Sequence, residues 1–124
     1  MSPDPRQILG AAGERLALEH LERLGYRLVA RNHRTRFGEL DLVVADTRTL
    51  VFVEVKTRRA VGAKPTPWDA LDERKRRQVR RMGRAFLSEV TRRPFVADVR
   101  FDAIGVIVDG ELRLVRLDHL EGAF

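Results

Sequence analysis

The sequence predicts an α/β domain whose elements run in the order αβββαββ. Three observations carry that order. Two stretches, near residues 6–25 and 66–90, repeat apolar residues at helical spacing. Between them, short runs alternate as strands do around a polar break. Beyond the second helical stretch, two further apolar runs flank Asp109-Gly110.

Arg6 to Gly25 reads as an amphipathic helix, with Leu9, Ala12, Leu16, Ala17, Leu21 and Leu24 on its apolar face and Gly25 as its stop. Tyr26 to Arg31 alternates as a strand. Leu42-Val43-Val44-Ala45 and Val51-Phe52-Val53 then flank the break Asp46-Thr47-Arg48-Thr49, which predicts a hairpin. Turned at the centre of that break, the hairpin sets Leu40, Leu42 and Val44 against Val55, Val53 and Val51, one wholly apolar face. On the other face Val43 meets Phe52, Asp41 meets Glu54 and Glu39 meets Lys56. Thr57 to Thr66 is a connection. Thr66 can cap a helix that has Pro67 at its first position and Asp69 in its first turn, with Trp68 packing the entrance. That helix runs to about Val90 on a stripe of Leu71, Val79, Met82 and Phe86. Two strands near Val99–Val108 and Leu112–Leu117, joined through Asp109-Gly110, close the chain. No repeat or linker divides residues 1–124, so a single domain is expected.

Composition narrows the function classes. The 124 residues contain no cysteine, which excludes disulfides, zinc–thiolate sites and thiol catalysis. No apolar run approaches the roughly 20 residues of a membrane span, and the start lacks the pattern of a signal peptide, so the cytoplasm is the expected address. His20, His33 and His119 share no metal-ligand spacing, and His33 reads as a loop or surface residue. No glycine-rich phosphate loop is present. The net charge of +6 is unevenly spread: residues 56–93 carry thirteen basic and four acidic groups, whereas residues 94–124 carry three basic and six acidic. The middle of the chain is a concentrated positive field whose natural partner is a polyanion, most commonly nucleic acid.

The hairpin carries the chemistry. Directly facing residues have Cβ atoms roughly 4.5–5.5 Å apart, and like charges there are destabilising. A divalent cation between Asp41 and Glu54 would remove the conflict, because hard cations take carboxylate oxygens. The structural alternative is a solvated charge face, tolerated beside Lys56 and neighbouring arginines. Lysine at 56 is notable in a chain with 21 arginines and 3 lysines, since a compact ammonium suits a single oxygen or water where a guanidinium forks.

Gly13-Glu14-Arg15-Leu16-Ala17, Gly25-Tyr26, Arg31-Asn32, Gly38-Glu39-Leu40-Asp41, Phe52-Val53-Glu54-Val55-Lys56-Thr57-Arg58 and Arg100-Phe101-Asp102 form an ordered set. Together they resemble the bacterial YraN-like family, within the restriction-endonuclease-like superfamily and similar to archaeal Holliday-junction resolvases. The resemblance implies a restriction-endonuclease-like core, a mixed central sheet flanked by helices. It implies Asp41 and Glu54 as metal ligands for Mg²⁺ or Mn²⁺, with the Val55 carbonyl as a further ligand. Lys56 would orient or activate water, or stabilise phosphate charge. Glu14 would join the catalytic set from the first helix. Because a junction has two scissile strands, the resemblance also implies a homodimer.

These readings lead to a metal-dependent endonuclease that hydrolyses phosphodiester bonds in DNA, including branched or structured DNA. Arg58, Arg59, Lys64, Arg74, Arg77, Arg80, Arg81 and Arg84 are its expected nucleic-acid contacts. The alternative is a nucleic-acid-binding module with a nuclease-like fold and little or no cleavage. A protein-interaction role ranks third.

Overall fold

A computed structural model describes residues 2–60, 72–94 and 96–124. Its elements are α1 (Pro5–Arg23), β1 (Arg27–Thr35), β2 (Gly38–Ala45), β3 (Thr49–Arg59), α2 (Glu73–Glu89), β4 (Asp98–Val108) and β5 (Leu114–Leu120). The expected order αβββαββ holds. The five strands form one mixed sheet in chain order, antiparallel except for the parallel pair β3/β4. Parallel neighbours need a long crossover, and α2 lies in it.

Both helices have legible ends. The Asp4 side chain accepts from Arg6 N at 2.9 Å and so caps α1. Gly25, at φ +98°, closes it, with Gly25 N and Tyr26 N donating to the Glu22 and Leu21 carbonyls. Leu24 lies past the last turn and is exposed, not part of the apolar stripe. Asp72 caps α2 through Lys75 N at 2.8 Å. The start signalled by Thr66-Pro67, together with Trp68 and Leu71, lies outside the described residues.

The helices cover opposite faces of the sheet. Ala17 and Leu21 of α1 pack on Leu42, Val44, Val51, Val53, Ile104, Val106 and Val108. Val79, Met82 and Phe86 of α2 pack on Leu40, Val43, Ala45, Leu50 and Phe52. Gly13 sets the approach of α1: a Cβ there would lie 1.7 Å from Thr57 Oγ1. No helix among the described residues is long and apolar enough to cross a membrane.

Three expectations change. The first strand extends to Thr35, and His33 is a half-buried strand residue packed edge-on to Phe86 at 5.0 Å. The last turn is a three-residue loop: Asp109 N donates to Arg113 O, and Asp109 Oδ1 accepts from Glu111 N and Arg113 N. Leu112, at φ +64°, takes the left-handed position there instead of Gly110, which delays β5 to Leu114. Finally, Leu40 does not share a face with Leu42. The β1/β2 pairing steps over Asn32 and Asp41, and Asn32 sits at φ +48°. This local kink resets the strand alternation, so Leu40 joins the α2 side while Leu42 stays on the α1 side.

Candidate functional site

The same kink builds the site. β2 and β3 keep the predicted register from Leu42↔Val53 to Ala45↔Leu50, and the ladder ends there. Asp41 is the next residue of β2. Its Oδ2 accepts the Val55 N–H at 2.8 Å, a donor that a continuing ladder would have given to backbone. The N–H and C=O of one strand residue point to the same side, so the Val55 carbonyl also faces the gap between the parting strands.

Glu54 comes from the α2 side of β3, and its carboxyl lies beside that of Asp41. Glu54 Oε2 lies 3.8 Å from Lys75 Nζ. Glu54 Oε1 is buried and has no hydrogen-bond partner among the described residues. Burial first, and then the Asp41 charge, push the Glu54 carboxyl up to about 8. Burial also raises Asp41, partly offset by the Val55 N–H. Both carboxyls are thus held above their ordinary values, Glu54 further than Asp41.

Glu14 stands beside this pair. Its Oε1 accepts from Asn32 Nδ2 at 3.0 Å, and the same amide group donates to Glu39 Oε1 at 3.1 Å. Burial raises the Glu14 carboxyl, against the Asn32 hydrogen bond, and the Asp41 charge adds to the rise. Among the described residues no group of three or more His, Asp or Glu side chains converges tightly enough to hold one ion. The donors available where the strands part are the Asp41 and Glu54 carboxyls and the Val55 carbonyl. Two carboxylates and a carbonyl fit Mg²⁺ or Mn²⁺, since Mg²⁺ keeps several waters and needs only one or two protein carboxylates.

Lys56 shares the Glu54 face by strand alternation, is exposed, and makes no ion pair among the described residues. Glu39 does not pair with Lys56 as expected. The β2/β3 ladder has ended before it, and Glu39 lies opposite Arg34 with the two charges 3.8 Å apart. Lys75 is the ammonium that reaches the carboxylates. One signal could have found it. The stripe Leu71, Val79, Met82, Phe86 has a gap at position 75, so a lysine there points inward.

Arg74, Arg77, Arg81 and Arg84 lie exposed along the outward face of α2, whereas Arg80 is half-buried and off that row. Arg59 is exposed and Arg58 half-buried at the end of β3. Lys64 lies outside the described residues.

A stability test follows from the pair. The folded carboxyl of Glu54 titrates at about 8, above its ordinary 4.5, so the folded state binds more protons throughout that window. Stability of the metal-free protein must therefore fall as pH rises through it. Glu54→Gln removes this titration. Its melting temperature is expected to exceed wild type by about 4 °C or more at pH 8, with the gain shrinking toward pH 5. An equal shift at both pH values would contradict the raised Glu54 carboxyl.

Two helices on opposite faces of a mixed five-stranded sheet, with a buried carboxylate pair where its second and third strands part, define the class of protein. Residues 13–106 match the model of the family described as Uncharacterised protein family UPF0102. The chain belongs to that family, the one its YraN-like motifs indicated. Similar relatives are UPF0102 proteins of Nocardia farcinica, 44% identical over 96% of this chain and 91% of the relative, and of Mycobacterium avium, 47% identical over 92% and 88%. A third, from Pelotomaculum thermopropionicum, is 40% identical over 98% of both chains.

Proposed function

We propose that this protein is a metal-dependent endonuclease acting on DNA, including branched or structured DNA. The observation that carries the reading is the buried Glu54 oxygen beside Asp41, unpartnered among the described residues. An acceptor left without a donor in the interior costs about 1–3 kcal/mol, and a bound cation would offset that cost. Asp41, Glu54 and the Val55 carbonyl would hold the Mg²⁺ or Mn²⁺. When bound, the cation supplies water activation and neutralises charge at phosphorus. Lys75 sets the charge on Glu54 by direct contact. Lys56, exposed on the same face, would meet a phosphate oxygen. Glu14, turned by Asn32, can accept a proton from a water at the edge of the pair. The arginines of α2 bind the polyanion, and affinity should fall steeply with salt.

One observation favours a second reading, a binding module that does not cleave. Burial pushes the Glu54 carboxyl up to about 8, which disfavours the charged form that a cation needs, and no third carboxylate joins the pair among the described residues. Incubation with linear, single-stranded and four-way-junction DNA, with Mg²⁺, Mn²⁺ or chelator, separates the two. Cleavage of at least one form that chelator abolishes is expected. Binding without cleavage under every metal and substrate would establish the module instead.

A further inference from the structure

The outward face of α2 forms one wall of a groove. Arg74, Arg77, Arg81 and Arg84 recur at helical spacing, a row about 15 Å long at ~1.5 Å per residue. The row starts next to Lys75, which reaches inward to Glu54. The opposite wall is the turn between β1 and β2, and it is held firmly. Thr35 Oγ1 donates to Gly38 O at 2.8 Å and accepts from Phe37 N at 3.1 Å. Gln78 Nε2 of α2 donates to Phe37 O at 3.0 Å, tying the two walls together.

Phe37 stands between two bays. One, of about 440 Å³, is bounded by Arg74, Arg77, Gln78 and Arg81. The other, of about 510 Å³, is bounded by Arg36, Arg81, Arg84 and, at its far end, Glu89. Phe37 and Arg81 border both. The Arg36 guanidinium lies 4.8 Å from the centre of the Phe37 ring. Among the described residues none of these five arginines forms an ion pair with a carboxylate.

We propose that the two bays receive successive nucleotides of an unpaired DNA strand, parted by Phe37, with the phosphate between them on Arg81. This inference rests on the nucleic-acid reading above and adds the form of the substrate. Each bay has the volume of a small-ligand site. Guanidinium forks match phosphate oxygens, and an aromatic divider offers a face to any base. A duplex keeps its bases stacked inside and has no use for the divider. An acidic peptide would use the arginines and leave Phe37 idle. The bay bordered by Arg74 lies at the end of the row where Lys75 contacts Glu54.

The test is equilibrium binding of the full chain in chelator, so that nothing is cut. The probes are a dT 12-mer, an abasic deoxyribose-phosphate 12-mer of equal charge, and a duplex. Wild type is expected to prefer the dT strand over the abasic strand by about tenfold or more. Phe37→Leu, which keeps an apolar side chain against the core, should erase that preference and leave abasic and duplex affinity unchanged. Phe37→Tyr keeps a ring and should keep the preference. Arg81→Gln should weaken all three probes and lower the salt slope by about one. Equal wild-type affinity for dT and abasic strands, or a preference that survives Phe37→Leu or vanishes in Phe37→Tyr, overturns the inference while the nucleic-acid reading stands. Failure of wild type to bind any probe overturns both.

Discussion

Asp41→Asn and Glu54→Gln are each expected to lower metal-dependent DNA cleavage by at least about a hundredfold, the scale on which a single transition-state contact acts. DNA affinity in chelator should stay within about twofold of wild type in both variants, because the arginine row on α2 is untouched. Loss of folding does not offer an escape. Each change relieves a pair in which burial and the neighbouring carboxyl hold Glu54 up to about 8 and burial raises Asp41. The two lysines then separate by mechanism. Lys75→Ala removes the ammonium 3.8 Å from Glu54 and should move the pH profile of cleavage to higher pH, since that charge lowers the Glu54 carboxyl. Lys56→Ala leaves Glu54 without a changed partner and should lower turnover at an unchanged pH profile. Wild-type turnover in either carboxylate variant would remove Asp41 and Glu54 from the chemistry.

The hairpin was legible because its pattern is local. Four apolar pairs and two charged ends specify a register that any slip would reverse. The carboxylate pair came with it, at the point where apolar alternation gives way to acids. What escaped the pattern depends on contacts between distant segments. Asn32 takes a left-handed backbone where β1 passes Asp41, and its amide spans Glu14 and Glu39. No periodicity announces that. Lys75 was legible in principle, as the polar residue that interrupts an apolar helical stripe. The exchange of Lys56 for Arg34 as the partner of Glu39 follows from the ladder ending early, which the residues of β2 and β3 alone do not show. His20 and His119 share no spacing because they lie 99 residues apart and meet only when α1 packs across the sheet onto β5.

That meeting sustains the second large effect. Asp102 is fully buried on β4 and accepts four hydrogen bonds: Arg100 Nε at 2.8 Å, Arg100 Nη2 at 2.9 Å, His119 Nε2 at 2.8 Å and Gly122 N at 3.0 Å. Burial by itself would raise its carboxyl, but the bonds from His119, Arg100 and Gly122 outweigh burial and hold it below the ordinary value. His119 Nδ1 in turn lies 3.0 Å from His20 Nε2, and Arg100 reaches the Tyr26 hydroxyl at 2.8 Å. One carboxylate thus ties α1, β4, β5 and the C-terminal turn. Asp102→Ala leaves Arg100 and His119 without their shared acceptor and is expected to cost about 3–5 kcal/mol in denaturant unfolding. The histidine end adds a pH dependence of definite sign. Burial, the neighbouring His119 and Arg23 lower His20 from its ordinary 6.5, so the unfolded chain binds the proton more readily than the fold does. Stability from this contact is complete above about 6.5 and declines as pH falls below it. His20→Gln, which keeps a polar side chain at the His119 contact, should flatten the fall in melting temperature between pH 7 and pH 5. A wild-type slope that persists in His20→Gln would place the acid-sensitive group elsewhere, and an Asp102→Ala protein as stable as wild type would show that the four-bond knot does not hold the sheet to α1.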